Sequence, residues 1–524
     1  MSYINDLHYL KMEKDRELQE NMMTNHLYDT LFAARETSEK AFLIDGDSEM
    51  SYRAFLERVN QLANALIDSG LQTGDRVAVQ AQKSKAQLAL YVATVKAGGV
   101  YLPLNTAYTA HELEYFITNA AASIIVVDAR NAEKVKDIAD RQQASLLTLN
   151  QDETGSLTSL ADQQSTAFTA IARGAEDLGA ILYTSGTTGR SKGAQLCHRN
   201  LVSNTEILKD FWQFTEEDVL LHMLPIYHTH GLFVASNLLA YVGGTMIFLP
   251  KFDIEAAIAW MPKATSMMGV PTFYTRLLAD DRFDKTLSAH MRLFISGSAP
   301  LLAETHKQFE ARTGKKILER YGMTETNMST SNPYDGDRIA GTVGVPLPGV
   351  DVRIADEKGN LLSQGEIGII ELKGDNVFTG YWQMPEKTAE SFRPDGYFIT
   401  GDMARMDENG YITIVGRDKD LIISGGLNVY PKEVEGLIDA IEGVTESAVI
   451  AAPHKDFGEA VVAVILRQNE KLTEEDIQQS LQDRLAKFKQ PKAVIFLDEL
   501  PRNTMGKVQK AALRKSYEKL FASA

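Results

Sequence analysis

The stretch YTSGTTGRSKG, Tyr183 to Gly193, gathers small, hydroxyl-bearing and cationic residues between an apolar run and a polar, helix-compatible one. Small residues let backbone amides and hydroxyls close around phosphate oxygens, and Arg190 and Lys192 add positive charge. A Walker A loop needs Gly-x4-Gly-Lys-Ser/Thr, whereas here Ser191 precedes Lys192 and Gly193 follows it; no GxGxxG follows a strand-like run either. The pattern predicts a phosphate-binding turn of another kind. In PIYHTHG, His228 and His230 lie two apart with His222 upstream, but a lone H-x-H lacks the third ligand and second-shell carboxylate usual in a zinc centre. Arg276 interrupts a largely apolar helix-like run, GVPTFYTRLL; it could pair with Asp280 one turn on or meet a buried anion. Cys197 is the sole cysteine, so no intrachain disulfide and no cysteine metal cluster can form.

These residues must be carried by more than one compact unit, since 524 residues amount to about three to four domain-sized pieces. The composition, 44% hydrophobic and 24% charged, is that of an ordinary globular protein and excludes disordered and collagen-like classes. With 54 basic and 70 acidic residues the net charge is −16, which disfavours nucleic acid or an anionic membrane as partner, so local cations must meet any anionic substrate. The N-terminal MSYINDLHYLKMEKDRELQE has no apolar h-region and is too acidic for a transit peptide. The apolar window Leu232 to Leu249 is broken by Asn237 and Gly243-Gly244, short of about 18 clean apolar residues. No membrane span and a cytoplasmic location are therefore expected.

Tyr52, Phe55, Leu56, Val59, Leu62, Ala63, Leu66 and Ile67 recur at helical spacing, with Ser51 placed to cap the start and Gly70 to end it. A helix over 85–96 and strands at VAVQ, 100–104, 124–128, LGAILYTSG, TMIFLP and LFISGSAP predict α/β layers. From about residue 345, VDVRIADEKGN, GEIGIIELKG, DGYFITGD and ENGYITIVGR alternate apolar residues with turn signals, as in an antiparallel sheet or small barrel. After the polar GRDKD linker (416–420), strands near 448–452, 461–466 and 494–497 with intervening helices predict a small α+β domain of about 100 residues.

Five segments in order, YTSGTTGRSKG (183–193), YGMTET (321–326), ITGD (399–402), GRDKDLIISGGLNVYP (416–431) and PRNTMGK (501–507), closely resemble the core motifs of adenylate-forming enzymes. That superfamily includes acyl-CoA synthetases, nonribosomal-peptide adenylation domains and firefly luciferase. Within it, RYGMTETNMSTSNPYDGDR (320–338) with MGVPTFYTRLL (268–278) looks like the malonyl-CoA synthetases. The resemblance implies an α/β plus α+β fold: an N-terminal adenylation domain over 1–418 with a small barrel-like part, and a mobile C-terminal lid over 419–524 hinged at Lys419.

It further implies ATP and CoA as co-substrates, Mg2+ as cofactor and malonate as the acid. Thr184, Ser185, Thr187, Thr188 and Lys192, with Gly186 and Gly189 in the same loop, would hold the β- and γ-phosphates. Thr324 would touch the α-phosphate and Glu325 coordinate Mg2+; Tyr321 and Gly297-Ser298 would border adenine; Asp402 and Arg417 would meet the ribose. Lys507 would reach the reacting carboxylate, His228 would border the acyl pocket, and Gly425 and Gly426 would lie along pantetheine. Malonate brings a second carboxylate whose burial needs a cation or several donors, for which Arg276, His230 and Ser298 are the candidates. Since acetylation removes a lysine's charge, a lysine acetyltransferase acting on Lys507 is a further expected partner. A different acid on the same fold, or a nucleotide binder that does not complete thioester synthesis, are the alternatives.

Overall fold

A computed structural model describes residues 24–46, 48–184, 191–424, 427–454, 457–482, 484–503 and 506–521. Ser51 caps the helix Tyr52–Asp68 as expected, its side chain accepting from the Ala54 amide, and the helix buries Phe55, Leu56, Val59, Leu62 and Leu66. The following helix, Lys85–Lys96, is buried all round; Ser84 caps it. Such a helix is buried on every face because it fills the space between layers rather than covering one.

Two large mixed sheets flank this core. The first has seven strands in the order Gly380–Tyr381, Lys192–Cys197, Leu178–Thr184, Val100–Pro103, Arg76–Gln80, Ile124–Val127 and Ser145–Thr148; its last five are mutually parallel. The second has nine, in the order Val345–Pro346, Asn327–Ser331, Leu318–Met323, Leu293–Ser296, Ser266–Gly269, Val219–His222, Thr245–Phe248, Ala41–Asp45 and Ser48–Ser51, parallel through its centre. One hydrophobic cluster takes residues from both, among them Val77, Val79, Leu220, Met246 and Leu293. The expected α/β layers are thus present.

The strands Asp351–Ala355, Gly368–Lys373, Phe398–Met406 and Ile412–Arg417 pair antiparallel as an open four-stranded sheet. Of the two expected forms it is the sheet rather than a closed barrel, because its outer strands Asp351–Ala355 and Ile412–Arg417 are not paired with each other. After the 3-10 turn Asp418–Asp420 comes the small α+β domain: the hairpin Ile422–Ser424 with Leu427–Val429, then Val444–His454, Gly458–Arg467 and Ala493–Leu497 in one sheet. Helices Pro431–Ile438, Glu474–Gln482 and Lys510–Ser516 pack beside it, and Ile422, Val434, Ile438, Val449 and Val461 form a separate core. Among the described residues, no helix is long and apolar enough to cross a membrane.

Two glycines test how tightly this frame is set. Gly344 has φ +77°, and a Cβ there would lie 1.9 Å from the Ser331 carbonyl carbon, whereas a Cβ on helical Gly436 meets nothing within 4 Å. Gly344→Ala is expected to destabilise the protein by about 2 kcal/mol or more, and Gly436→Ala to stabilise the small domain by up to about 1 kcal/mol. Denaturant unfolding of both variants checks this; equal midpoints would contradict it.

Candidate active site

The phosphate-loop segment is a hairpin whose last cross-strand pair is Thr184 opposite Lys192. Ser185, Gly186, Thr187, Thr188, Gly189 and Arg190 lie outside the described residues. The flanks are held from below by the helix Ala110–Ala120: the Tyr115 hydroxyl donates to the Ser191 carbonyl at 2.8 Å, and the Tyr183 hydroxyl donates to Asn119 Oδ1 at 2.5 Å. Thr184 Oγ1 lies 3.4 Å from the Lys192 carbonyl.

The two-residue strand Gly380–Tyr381, which periodicity is too short to reveal, docks on the hairpin and brings Tyr381 to the site. Lys192 Nζ lies 4.0 Å from the centre of the Tyr381 ring, and the Tyr381 hydroxyl donates to Glu325 Oε1 at 3.0 Å. Glu325 is 5% exposed. Burial raises its carboxyl above the ordinary range, against the pull of the Tyr381 hydroxyl, Lys192 and Arg417. Thr324, half-buried, precedes it at the end of strand Leu318–Met323, where the pairing shifts register between Tyr321 and Gly322. No side chain fits at Gly322, since a Cβ would sit 1.8 Å from the Asn327 carbonyl oxygen.

Across the cleft, Asp402 and Arg417 face each other on neighbouring strands of the four-stranded sheet. Arg417 Nε lies 2.7 Å from Asp402 Oδ1, and the Tyr321 hydroxyl donates to Oδ2 at 2.6 Å. Burial and Asp402 together push the Tyr321 phenol well up. Lys419 follows in the 3-10 turn. Lys507 is exposed as a residue, yet the protein around its ammonium, Arg417 and Lys419 lower that group below the ordinary lysine range, with Asp402 and Asp420 opposing. Its backbone is fixed by a two-way bond with Asn503: the Lys507 amide donates to Asn503 Oδ1 and the Asn503 amide to the Lys507 carbonyl, each at 2.9 Å. A Cβ on Gly506 would lie 3.5 Å from Thr272, so this loop rests on the start of helix Pro271–Leu278. Gly425 and Gly426 lie outside the described residues, between the paired Ser424 and Leu427.

The third wall carries the histidines. Ser298, in the left-handed region at φ +70°, holds Oγ 3.3 Å from His230 Nδ1, and the His230 amide donates to His228 Nδ1 at 3.3 Å. Burial and the nearby Arg320 lower both rings, His228 to about 4, so both are neutral near pH 7. His222 does not join them. It turns away to Lys83 at 2.8 Å, and no group of three or more His, Cys, Asp or Glu able to hold a metal occurs among the described residues.

Sequence reasoning missed Arg320. It is 4% exposed, its Cζ would be 2.3 Å from a Cβ on Gly297, and its Nε and Nη2 have no hydrogen-bond partner among the described residues. Burial lowers its guanidinium to about 9. A signal was available: strands buried on both faces read as apolar runs, and LERYGM, buried from Leu318 to Tyr321, places two charges in one. Arg276, the expected cation, is instead exposed; its guanidinium lies 6.0 Å from the Phe252 ring centre. The i+4 partner considered for it, Asp280, pairs with Arg282 at 2.7 Å.

Sequence and structure comparisons fit this arrangement. The AMP-binding enzyme family matches residues 32–382 and the AMP-binding enzyme C-terminal domain matches 433–507. The chain is 35% identical over 483 residues to the Malonate–CoA ligase of Arabidopsis thaliana, covering 86% of this chain and 79% of the relative. It is 34% identical over 518 residues to the Long-chain-fatty-acid–CoA ligase of Bacillus subtilis (strain 168), covering 92% of each. The crystal structure of ATP-bound MatB from Rhodopseudomonas palustris superposes with a TM-score of 0.94 at 57% identity, covering 95% of this chain and all of that one. With matches that span both large sheets and most of the small domain, the chain belongs to the AMP-binding enzyme family.

Proposed function

We propose that this chain ligates malonate, with methylmalonate as a second acid, to CoA at the expense of ATP, releasing AMP and pyrophosphate. A carboxylate resists attack by a thiol; joining it to the α-phosphate of ATP gives a mixed anhydride, malonyl-AMP, from which CoA displaces AMP. Both steps develop charge that fixed donors must meet. The observation that carries malonate as the acid is Arg320, a buried guanidinium with unpaired donors beside His228, His230 and Gly297. An unpaired buried charge costs several kcal/mol, and the neutral histidines leave it as the cation against which a distal carboxylate can be buried. Ser298 and His230 add polar contacts at the same wall. Arg276 lies one helical turn beyond Thr272, the residue under the Lys507 loop, so it sits on the same face and is proposed to steer the acid inward.

Lys192 and Thr184, with Ser185, Gly186, Thr187, Thr188 and Gly189, are proposed to hold the terminal phosphates, and Thr324 the α-phosphate. Tyr321 and Gly297-Ser298 border the adenine. Asp402 accepts one donor on each oxygen and keeps lone pairs for the ribose hydroxyls, with Arg417 beside it. Glu325 fits Mg2+: a hard cation that takes most of its oxygens from phosphates and water needs few carboxylates, and this one is buried with its charge poorly offset. When bound, Mg2+ offsets phosphate charge. The domains are proposed to divide at Lys419, residues 1–418 from 419–524, with rotation there exchanging Lys507 for the Gly425-Gly426 loop along pantetheine. Cys197, free and buried, accords with a reducing compartment, so the cytoplasm is the proposed location.

CoA-dependent AMP release with acetate, malonate, methylmalonate, succinate, octanoate and benzoate tests the reading; preference for a monocarboxylate would move it to the other acid ligases, in line with the Bacillus relative. Arg320→Met is expected to lower kcat/KM for malonate about 100-fold, the cost of unpairing a buried carboxylate, while sparing acetate; equal losses would remove Arg320 from acid recognition, and the same comparison on Arg276→Met tests the steering role. Lys507→Ala should lose about 10² to 10³ in adenylation rate yet form thioester from supplied malonyl-AMP, and Lys507 acetylated at the same position should behave alike. Loss of both half-reactions together would contradict this assignment.

Glu325→Gln should abolish activity and stabilise the protein. Its folded-state pKa is raised, so the native contribution of Glu325 is fully present below the unfolded value and is lost as pH rises through the folded value. The glutamine variant should therefore unfold at a higher temperature than the native protein at pH 8, the gap closing toward pH 4; a gap independent of pH would contradict this.

A further inference from the structure

We propose that Lys83 is a positioning residue for the acid pocket, acting through His222 on the wide helical turn His230–Ser236. This rests on the reading of His228, His230 and Arg320 as the acid wall. Lys83 lies between strand Arg76–Gln80 and helix Lys85–Lys96 of the seven-stranded sheet, and His222 ends strand Val219–His222 of the nine-stranded one. Both are buried. Lys83 Nζ is 2.8 Å from His222 Nδ1, donates to the His222 carbonyl at 2.9 Å, and stands 4.2 Å from the centre of the Phe248 ring.

On its other side His222 Nε2 lies 2.8 Å from the Gly231 carbonyl, which also accepts from Ser236 Oγ at 2.9 Å. A carbonyl only accepts, so Nε2 carries the proton and Nδ1 receives one from Lys83; the two contacts select one tautomer of the ring. Burial lowers both Lys83 and His222 far below their ordinary values, in keeping with a neutral ring.

The carbonyl so held belongs to a turn of π-helical width, a form found as a local distortion at functional sites and in need of partners outside the regular ladder. Gly231 leaves it no slack: a Cβ would lie 2.1 Å from the Pro225 carbonyl oxygen. Its neighbour in sequence is His230, which meets Ser298 and stands within electrostatic reach of Arg320. A lysine of one sheet thus sets, through one ring and one carbonyl, the place of the acid wall on the other. The nucleotide-facing pairs Asp402–Arg417 and Lys192–Tyr381 take no part in this chain of contacts.

The test is the steady-state kinetics of Lys83→Met, which keeps the unbranched stem and removes the donor. The expected result is a KM for malonate raised about tenfold, the equivalent of one hydrogen bond, with kcat and the KM for ATP within about twofold. An unchanged malonate KM, or an equal rise for ATP, overturns the proposal. Should that variant fail to fold, Ser236→Ala, which leaves one donor on the Gly231 carbonyl, is expected to shift the malonate KM alone and by less. Imidazole 15N spectra of the native protein supply a readout independent of turnover: a protonated Nε2 with bare Nδ1 at His222 is expected, and the opposite tautomer refutes the relay. If the native enzyme prefers another acid, a selective rise in that acid's KM upholds Lys83 while the malonate reading falls.

Discussion

Asp402 receives a phenol from the nine-stranded sheet and a guanidinium from its own, and this three-residue contact joins the two layers whose gap is the cleft. Its geometry is short and its carboxylate buried, so the two sheets are held in one relative position at this wall of the cleft. Arg417 is also the last residue of its strand before the turn that leads to the small domain. The same carboxylate therefore bears on where that domain begins, and on the field felt by Lys507 at its far end.

Several of the charges the chain buries are balanced by partners of opposite sign. Glu371 lies between Arg353 and Arg393, Asp218 is gripped by Arg292, and Glu435 meets Lys510. Arg320 and Glu325 depart from that habit, five residues apart at opposite ends of one segment: one has unpaired donors, the other a single phenol and a lysine held over the ring of that phenol. Uncompensated burial is costly in folding and is retained where a ligand completes the balance. Under the proposed function each group would select by sign, an anion at the arginine and a cation at the glutamate.

Much of this was legible in the sequence. The capped helix Tyr52–Asp68, the parallel strands and the small domain follow from period and turn chemistry, and the grouping of Thr184, Lys192, Thr324, Glu325, Asp402, Arg417 and Lys507 is what the resemblance of the ordered motifs implies; the fold places Lys192, Glu325, Asp402, Arg417 and Lys507 within electrostatic reach of one another. What was not legible depends on long-range contact. The two-residue strand that carries Tyr381 has no periodicity to detect, and its place is set by pairing with Ala194 and Gln195 far along the chain. Arg276 stood out because it breaks an apolar pattern, yet a long cationic side chain on a short helix can lie outward over an aromatic ring. Arg320 lies inside a motif whose tyrosine carries the resemblance, and only its burial with Nε and Nη2 unpaired among the described residues sets it apart.

The strand Leu318–Met323 joins two walls of the cleft. Successive side chains on a strand point to opposite faces, so Arg320 turns toward the histidine wall while Tyr321 turns toward Asp402. The register shift at Tyr321 and Gly322 then bends the chain, and the close approach of Gly322 to the Asn327 carbonyl keeps Thr324 and Glu325 at the mouth of that bend. This strand and the turn after it thus carry Arg320, Tyr321, Thr324 and Glu325 within six consecutive residues, which under the proposed function would serve the acid, the nucleoside and the phosphates. Distances between the reacting groups are fixed by peptide geometry rather than by the packing of separate elements. For a reaction whose first obstacle is bringing two anions together, that covalent spacing supplies the orientation an encounter in water lacks.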